Sequence, residues 1–574
     1  MRKVNYSHWG IIIVISFLVI ARFLYLDQDA PSYMISGICQ EDEAAYCWDA
    51  IIKTKADNGN VLKGFEQAKY PGLIMAYTPL TYFCLKLFGF TYYGLRIPSV
   101  ILSLLIFFFL AKSLGRVSGN NRFAILLFIL FLLSDFYFLL FSRFQTPQIY
   151  SLFIISIILW SYFKYGYESK RGLFLLGLLT SFAFTVVYVY TIFIFAAFGM
   201  FVLLQSVFTK RIFFLLYFII GVIASIAIYF LLHWFAGASV LDDFNLMKNT
   251  GGGLQVIEDS KAGSFTLFTI INASVQLLLT NFFRYNLSIL LIFLIVIPLA
   301  IYTIVTKKDK NNFILLLCVL FLLLQSVFVI SYPFKKLIVL FPIVVMLIAY
   351  NIKYIHYFTR NNFSKIIFII WILISAVFCF YNYKTNNNPI YWSGFDYGYY
   401  VNTSSSANIF NLVIFITILI TVAIWVWNVS LTKYLKYVLI LIICPGIIYS
   451  MLYIYKNKHF AMRDALTSLK KEVSGKTIVL DLSPAYIFYN DAIPVLNAYE
   501  YQNINDTTIT HLTNELFDSG KGNFRIIKFF KHQKKFNHLK PGNIYDENSK
   551  HYLVVHRILE LPYYNLLVLK NQIK

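Results

Sequence analysis

The residues best suited to chemistry lie in one short stretch, Cys39-Gln40-Glu41-Asp42-Glu43-Ala44-Ala45-Tyr46-Cys47-Trp48-Asp49. Three successive carboxylates beside aromatic residues, between two long apolar runs, are costly unless they are solvated or used. A carboxylate near its ordinary pKa can take a proton from a hydroxyl held within hydrogen-bond reach. A helix starting near Asp42 would place Asp42, Tyr46, Asp49 and Lys53 on one face. Acidic residues at such a start also cap the helix and complement its dipole, so spacing alone leaves both readings open.

Cations that could hold an anionic partner are spread along the chain. Lys69 lies in Lys69-Tyr70-Pro71-Gly72, Arg96 in Leu95-Arg96-Ile97-Pro98-Ser99, and Arg143 in Ser142-Arg143-Phe144-Gln145-Thr146-Pro147. Lys335 and Lys336 stand in the short turn Tyr332-Pro333-Phe334-Lys335-Lys336. Helix-end snorkelling and headgroup anchoring are the alternative readings for Arg96 and for the lysine pair. Asp135 falls inside an apolar run, which makes it a functional candidate or a paired structural residue.

These residues must be positioned by a membrane protein. Of 574 residues, 59% are hydrophobic and only 13% charged, more apolar surface than a soluble chain can bury. The net charge of +22 sits largely in short loops and calls for no nucleic acid. About thirteen apolar runs are long enough to span a bilayer. They lie near 9–26, 97–115, 123–141, 147–164, 172–188, 190–208, 212–235, 287–305, 313–331, 337–352, 365–382, 408–428 and 438–455. No small-x-small cleavage site follows the first run, so it is expected to stay as a helix.

With a cytoplasmic N-terminus, every inner loop is basic, from Lys112, Arg116 and Arg122 to Lys433 and Lys436. Most acidic residues before the C-terminal part then fall outside. Segment 265–283 carries a polar stripe of Thr269, Asn272, Gln276 and Thr280 and reads as an interfacial amphipathic helix. Beyond about 457 the runs shorten. A helix over Ala461–Glu472 and strands at 477–482, 551–557 and 565–570 predict a small α/β domain over 457–574, placed outside. Residues 1–456 form the transmembrane domain, with the acidic motif in outer loop 27–96.

The order of motifs in residues 36–115 carries a resemblance. Asp42-Glu43-x-x-Tyr46 is followed by Tyr70-Pro71-Gly72, Thr78-Pro79, Phe88-Gly89 and Leu95-Arg96-x-Pro98-Ser99. This resembles the GT-C superfamily of membrane glycosyltransferases. It is most similar to the branch holding the protein O-mannosyltransferases and the bacterial aminoarabinose transferase that modifies lipid A. The resemblance implies sugar transfer from a polyprenyl-phosphate donor to a lipid, glycan or protein acceptor outside the cytoplasm of a bacterial inner membrane. Asp42 would be the general base and Glu43 its support; Tyr46, Lys69, Arg96, Arg143, Lys335 and Lys336 would bind substrate. No cofactor is implied; a divalent metal is possible but not indicated. Thr78-Pro79 replaces the Pro-Pro of many relatives, and 145–148 lacks an acidic residue that some carry, which leaves the acceptor class open.

Two other classes compete. A multi-pass transporter would show inverted repeats and broken helices, and the chain has no evident repeat. A lipid-linked polysaccharide polymerase or ligase would depend on a large late loop. The outer compartment permits a Cys39–Cys47 disulfide if the chain turns between them. The basic stretch 528–540 reads as a solvated surface or a contact with anionic headgroups. No Cys/His cluster has zinc-ligand spacing.

Overall fold

In the computed structural model, the residues described are 73–134, 142–145, 147–187, 191–236, 287–328 and 333–351, with parts of 15–27, 47–54, 138–139, 239–241, 354 and 366–377. Towards the C-terminus they are 461–472, 478–481, 493–495, 524–530, 544–545, 551–560 and 564–573. The expected spans at 408–428 and 438–455 and the amphipathic segment at 265–283 lie outside them.

The helices are α1 Leu73–Phe88, α2 Tyr92–Val117, α3 Arg122–Ser134, α4 Pro147–Tyr165, α5 Lys170–Val187 and α6 Ile192–Thr209. They continue as α7 Phe213–Ala236, α8 Leu287–Lys307, α9 Lys310–Phe328 and α10 Pro333–Asn351. From α2 to α9 they follow the apolar runs to within a few residues, because each run is bounded by charged or turn residues. Lys210 ends α6 in the left-handed conformation, and its amide and that of Arg211 cap the carbonyls of Val207 and Ser206. A three-residue turn then sends the chain back as α7.

Two boundaries differ from the sequence reading. Residues 73–88 form a helix within the stretch expected to be an outer loop. Its Pro79 and Lys86 break the apolar pattern without breaking the helix. Helix α10 begins at Pro333, so Lys335 and Lys336 lie in its first turn and not in the loop before it. Proline suits that start, because the first amides of a helix have no partner inside it.

Among the described residues, Tyr92–Val117, Ile192–Thr209 and Phe213–Phe235 are long and apolar enough to cross a bilayer. Helix α7 exposes Leu216, Ile219, Ile223, Phe230, Leu231 and Trp234. A face this apolar suits the hydrocarbon of a membrane. Its other side packs on α5 through two glycines. A Cβ on Gly177 would fall 2.0 Å from the Phe218 carbonyl oxygen, and one on Gly221 would fall 2.2 Å from that of Phe174. Small residues let the backbones approach where no hydrophobic driving force separates helix from lipid.

The chain divides into two compact units. The first comprises Met1–Leu24, Leu62–Pro79 and Pro98–Tyr455; the second comprises Tyr25–Val61, Leu80–Ile97 and Lys456–Lys574. In the first, a polar knot joins α8, α9 and α10. Asn312 and Asn351 exchange amide hydrogen bonds of 2.8 and 2.6 Å, and Asn312 also donates to Thr303 Oγ1 at 2.6 Å. Asp309 caps α9 through the amides of Asn311 and Asn312 and accepts from the Tyr350 hydroxyl at 3.0 Å.

In the second unit lie helix α11, Ala461–Glu472, and a six-stranded mixed sheet. The strands are β1 Ile478–Asp481, β2 Ile493–Val495, β3 Phe524–Phe530, β4 Ile544–Tyr545, β5 His551–Glu560 and β6 Tyr564–Ile573, in the order β2-β1-β3-β6-β5-β4. β1 pairs parallel with β2 and β3; the remaining pairs are antiparallel. The start of the basic stretch, Lys528 to Phe530, is the end of β3, whose Phe and Ile residues suit a pleated strand.

Candidate functional site

Arg22 lies in the first apolar segment and is fully buried. Its guanidinium carbon is 5.1 Å from the Phe107 ring centre and 5.5 Å from that of Phe138. The aromatic walls stabilise the cation through their electron-rich faces. Among the described residues, none of its three guanidinium nitrogens has a hydrogen-bond partner. The like charge of Arg143 bears directly on it. Phe107 and Phe138 meet edge to face at 5.7 Å, and Phe341 of α10 lies 6.2 Å beyond Phe138.

Arg143 is also buried, and its Nη2 donates to the Leu24 carbonyl. That carbonyl lies near the end of a helix, where a cation complements the dipole. Two residues further, Gln145 accepts from the Ser99 hydroxyl at 2.5 Å and donates to the Tyr150 hydroxyl at 2.8 Å. All three side chains are buried. A carboxamide serves both neighbours here as donor and acceptor, which a carboxylate could not do.

In the second unit Arg96 is buried, with its guanidinium carbon 4.4 Å from the Tyr92 ring centre. Its Nη1 donates to the Leu26 carbonyl at 2.8 Å. Cys47, Ala50 and Ile51 are buried in the same unit, and Ile51 N donates to Cys47 O at 3.0 Å.

Of the residues expected from sequence, the structure thus places Arg96 and Arg143 as buried arginines that each grip a backbone carbonyl. Lys335 and Lys336 are placed on the first turn of α10. Asp42, Glu43, Tyr46, Lys69, Asp135 and Cys39 lie outside the described residues. Arg22 was not singled out from sequence. Its signal was there: a cation inside an apolar run, four residues before the run ends.

Apolar helices with lipid-facing sides, buried arginines and an appended mixed sheet define an integral membrane protein with a mainly helical core. No protein-family model matches the chain, and no curated protein matches its sequence. In fold it is similar to the crystal structure of ArnT from Cupriavidus metallidurans bound to undecaprenyl phosphate. The TM-score is 0.60 at 12% identity, over 98% of each chain. The apo structure of the same protein gives a TM-score of 0.57 at the same identity and coverage. The chain therefore shares the fold of that structure along nearly its whole length.

Proposed function

We propose that this chain is a membrane glycosyltransferase that moves a sugar from a polyprenyl-phosphate donor to an acceptor outside the cytoplasm. The observation that carries the reading is the whole-length likeness in fold to a protein crystallised with undecaprenyl phosphate. The Arg22 guanidinium supports it. A buried cation without a hydrogen-bond partner among the described residues suits an anion, and the phosphate of a membrane lipid is one.

In this reading Asp42 is the general base and Glu43 orients the acceptor. The acceptor oxygen attacks the anomeric carbon and gives its proton to Asp42. The bond from that carbon to the phosphate oxygen breaks, and the phosphate leaves with the electron pair. Arginine or lysine side chains stabilise the departing anion, and Arg22 and Arg143 of the first unit are candidates for that role. Arg96, engaged by the Leu26 carbonyl, holds the chain that leads to the acidic pair. Tyr46, Lys69, Lys335 and Lys336 remain candidates for contacts to donor or acceptor. The N-terminus is cytoplasmic and the C-terminal α/β domain extracytoplasmic, with about thirteen spans between them.

The test is sugar transfer by the purified protein in lipid, offered a panel of polyprenyl-phosphate sugars and envelope acceptors. A folded Asp42→Asn variant should lose transfer. Transfer that survives the substitution removes Asp42 as the base. Donor-independent uptake of a solute by the same vesicles, with no transfer, would move the protein to the transporter class.

A further inference from the structure

At one end of the helical unit, away from any residue given a role above, two cations sit over the ring of a half-buried tyrosine and the charge of a third bears on it. Lys164 at the end of α4 sits 4.5 Å from the Trp160 ring centre and 4.8 Å from that of Tyr165. Arg171 in the first turn of α5 lies 5.0 Å from the same Tyr165 ring. Arg116, from the last turn of α2, brings its charge to bear on the Tyr165 hydroxyl together with the other two. All three cations are exposed, while Trp160 is half-buried and packs 5.5 Å from Phe109.

The nearest carboxylate in sequence does not neutralise them. Glu168 is held elsewhere, accepting from Lys310 Nζ at 3.4 Å and from the Tyr167 hydroxyl at 2.8 Å. Among the described residues no carboxylate pairs with Lys164, Arg171 or Arg116. Holding three like charges together without a counter-ion is unfavourable, and fixing two of them over aromatic rings reduces the freedom to spread apart. The cluster lies where apolar helices end, and Trp and Tyr rings suit the level of lipid headgroups.

We propose that Arg116, Lys164 and Arg171, with Trp160 and Tyr165, form a seat for the headgroup phosphate of an anionic glycerophospholipid. The cations hold the phosphate oxygens, and the indole and phenol fill the boundary between headgroup and acyl chain. The seat is independent of the transfer reaction.

Native mass spectrometry of the full-length protein, titrated with phosphatidylglycerol or phosphatidylcholine, tests this. The wild type should retain phosphatidylglycerol in preference. The double variant Lys164→Gln/Arg171→Gln should lose that preference by about 25-fold, two contributions of about fivefold each. Lys164→Arg/Arg171→Lys should keep it and so show that charge, not folding, is read. The control Lys210→Gln/Arg211→Gln removes the same net charge from the α6–α7 turn and should bind as wild type. Equal binding by the double variant, equal loss in the control, or displacement of the lipid by inorganic phosphate at matched concentration would each overturn the proposal.

Discussion

Arg96 Nη1 and the Leu26 carbonyl are 2.8 Å apart in space and 70 residues apart in sequence. The bond ties the end of the first apolar segment to the opening turns of α2. A charged donor on a buried carbonyl is among the stronger hydrogen bonds in a protein. Arg96→Met keeps most of the volume and removes the donor. It should lower stability by about 2 kcal/mol, read as a lower unfolding midpoint in detergent. An unchanged midpoint would show that Leu26 finds another donor.

Arg22 should behave in the opposite sense. Among the described residues its buried guanidinium has no hydrogen-bond partner, and the like charge of Arg143 bears on it. Replacing such a charge with a well-packed apolar residue removes a desolvation cost, so Arg22→Met should raise stability by roughly 1–4 kcal/mol. Sugar transfer by the same variant should fall, because the anion it would hold loses its partner. A variant that is more stable and fully active would leave Arg22 with no part in the reaction.

The two glycines between α5 and α7 give a packing prediction. Gly177→Val and Gly221→Val each drive a side chain into a carbonyl of the facing helix and should cost about 3 kcal/mol. Gly199 in α6 has open space where its Cβ would stand. Gly199→Ala should be neutral or stabilise by up to about 1 kcal/mol through helix propensity. Thermal unfolding of the three variants side by side reads the contrast.

Asn312 and Asn351 should show coupling. Either single change to Leu leaves the other carboxamide without its reciprocal partner, though Asn312 keeps Thr303 and Asn351 keeps the Leu347 carbonyl, and should cost about 1–3 kcal/mol. The double change removes both polar groups, so its cost should fall short of the sum. Additive losses in a double-mutant cycle would mean that the reciprocal pair does not act as a unit.

Apolar run lengths place the helices because charged or turn residues bound each run, and among the described residues α2, α6 and α7 are long and apolar enough to cross a bilayer. Helices α2 to α9 were legible for that reason, and so were the two long strands of the C-terminal hairpin, β5 and β6. Helix α1 was not. Leu73–Phe88 is too short and too interrupted by Pro79 to announce itself, and its register depends on contacts that sequence does not list. Among site residues, Arg96 and Arg143 stood out because they lie beside motif residues in an ordered pattern. Their partners, the carbonyls of Leu26 and Leu24, carry no sequence signal, because every residue has one.

The sequence alone determined a membrane protein with basic short loops, an acidic pair in its first long polar stretch and a likeness to membrane glycosyltransferases. These properties follow from composition, run length and local motif order, and each can be read within a few dozen residues. Tertiary structure decided which cations are buried and what they face. Arg22 and Arg143 are 121 positions apart in the chain yet share one electrostatic environment. Gly177 and Gly221 are small because Phe218 and Phe174 lie across from them on the partner helix. Burial and close approach are properties of pairs of elements, and a linear sequence does not state which elements meet.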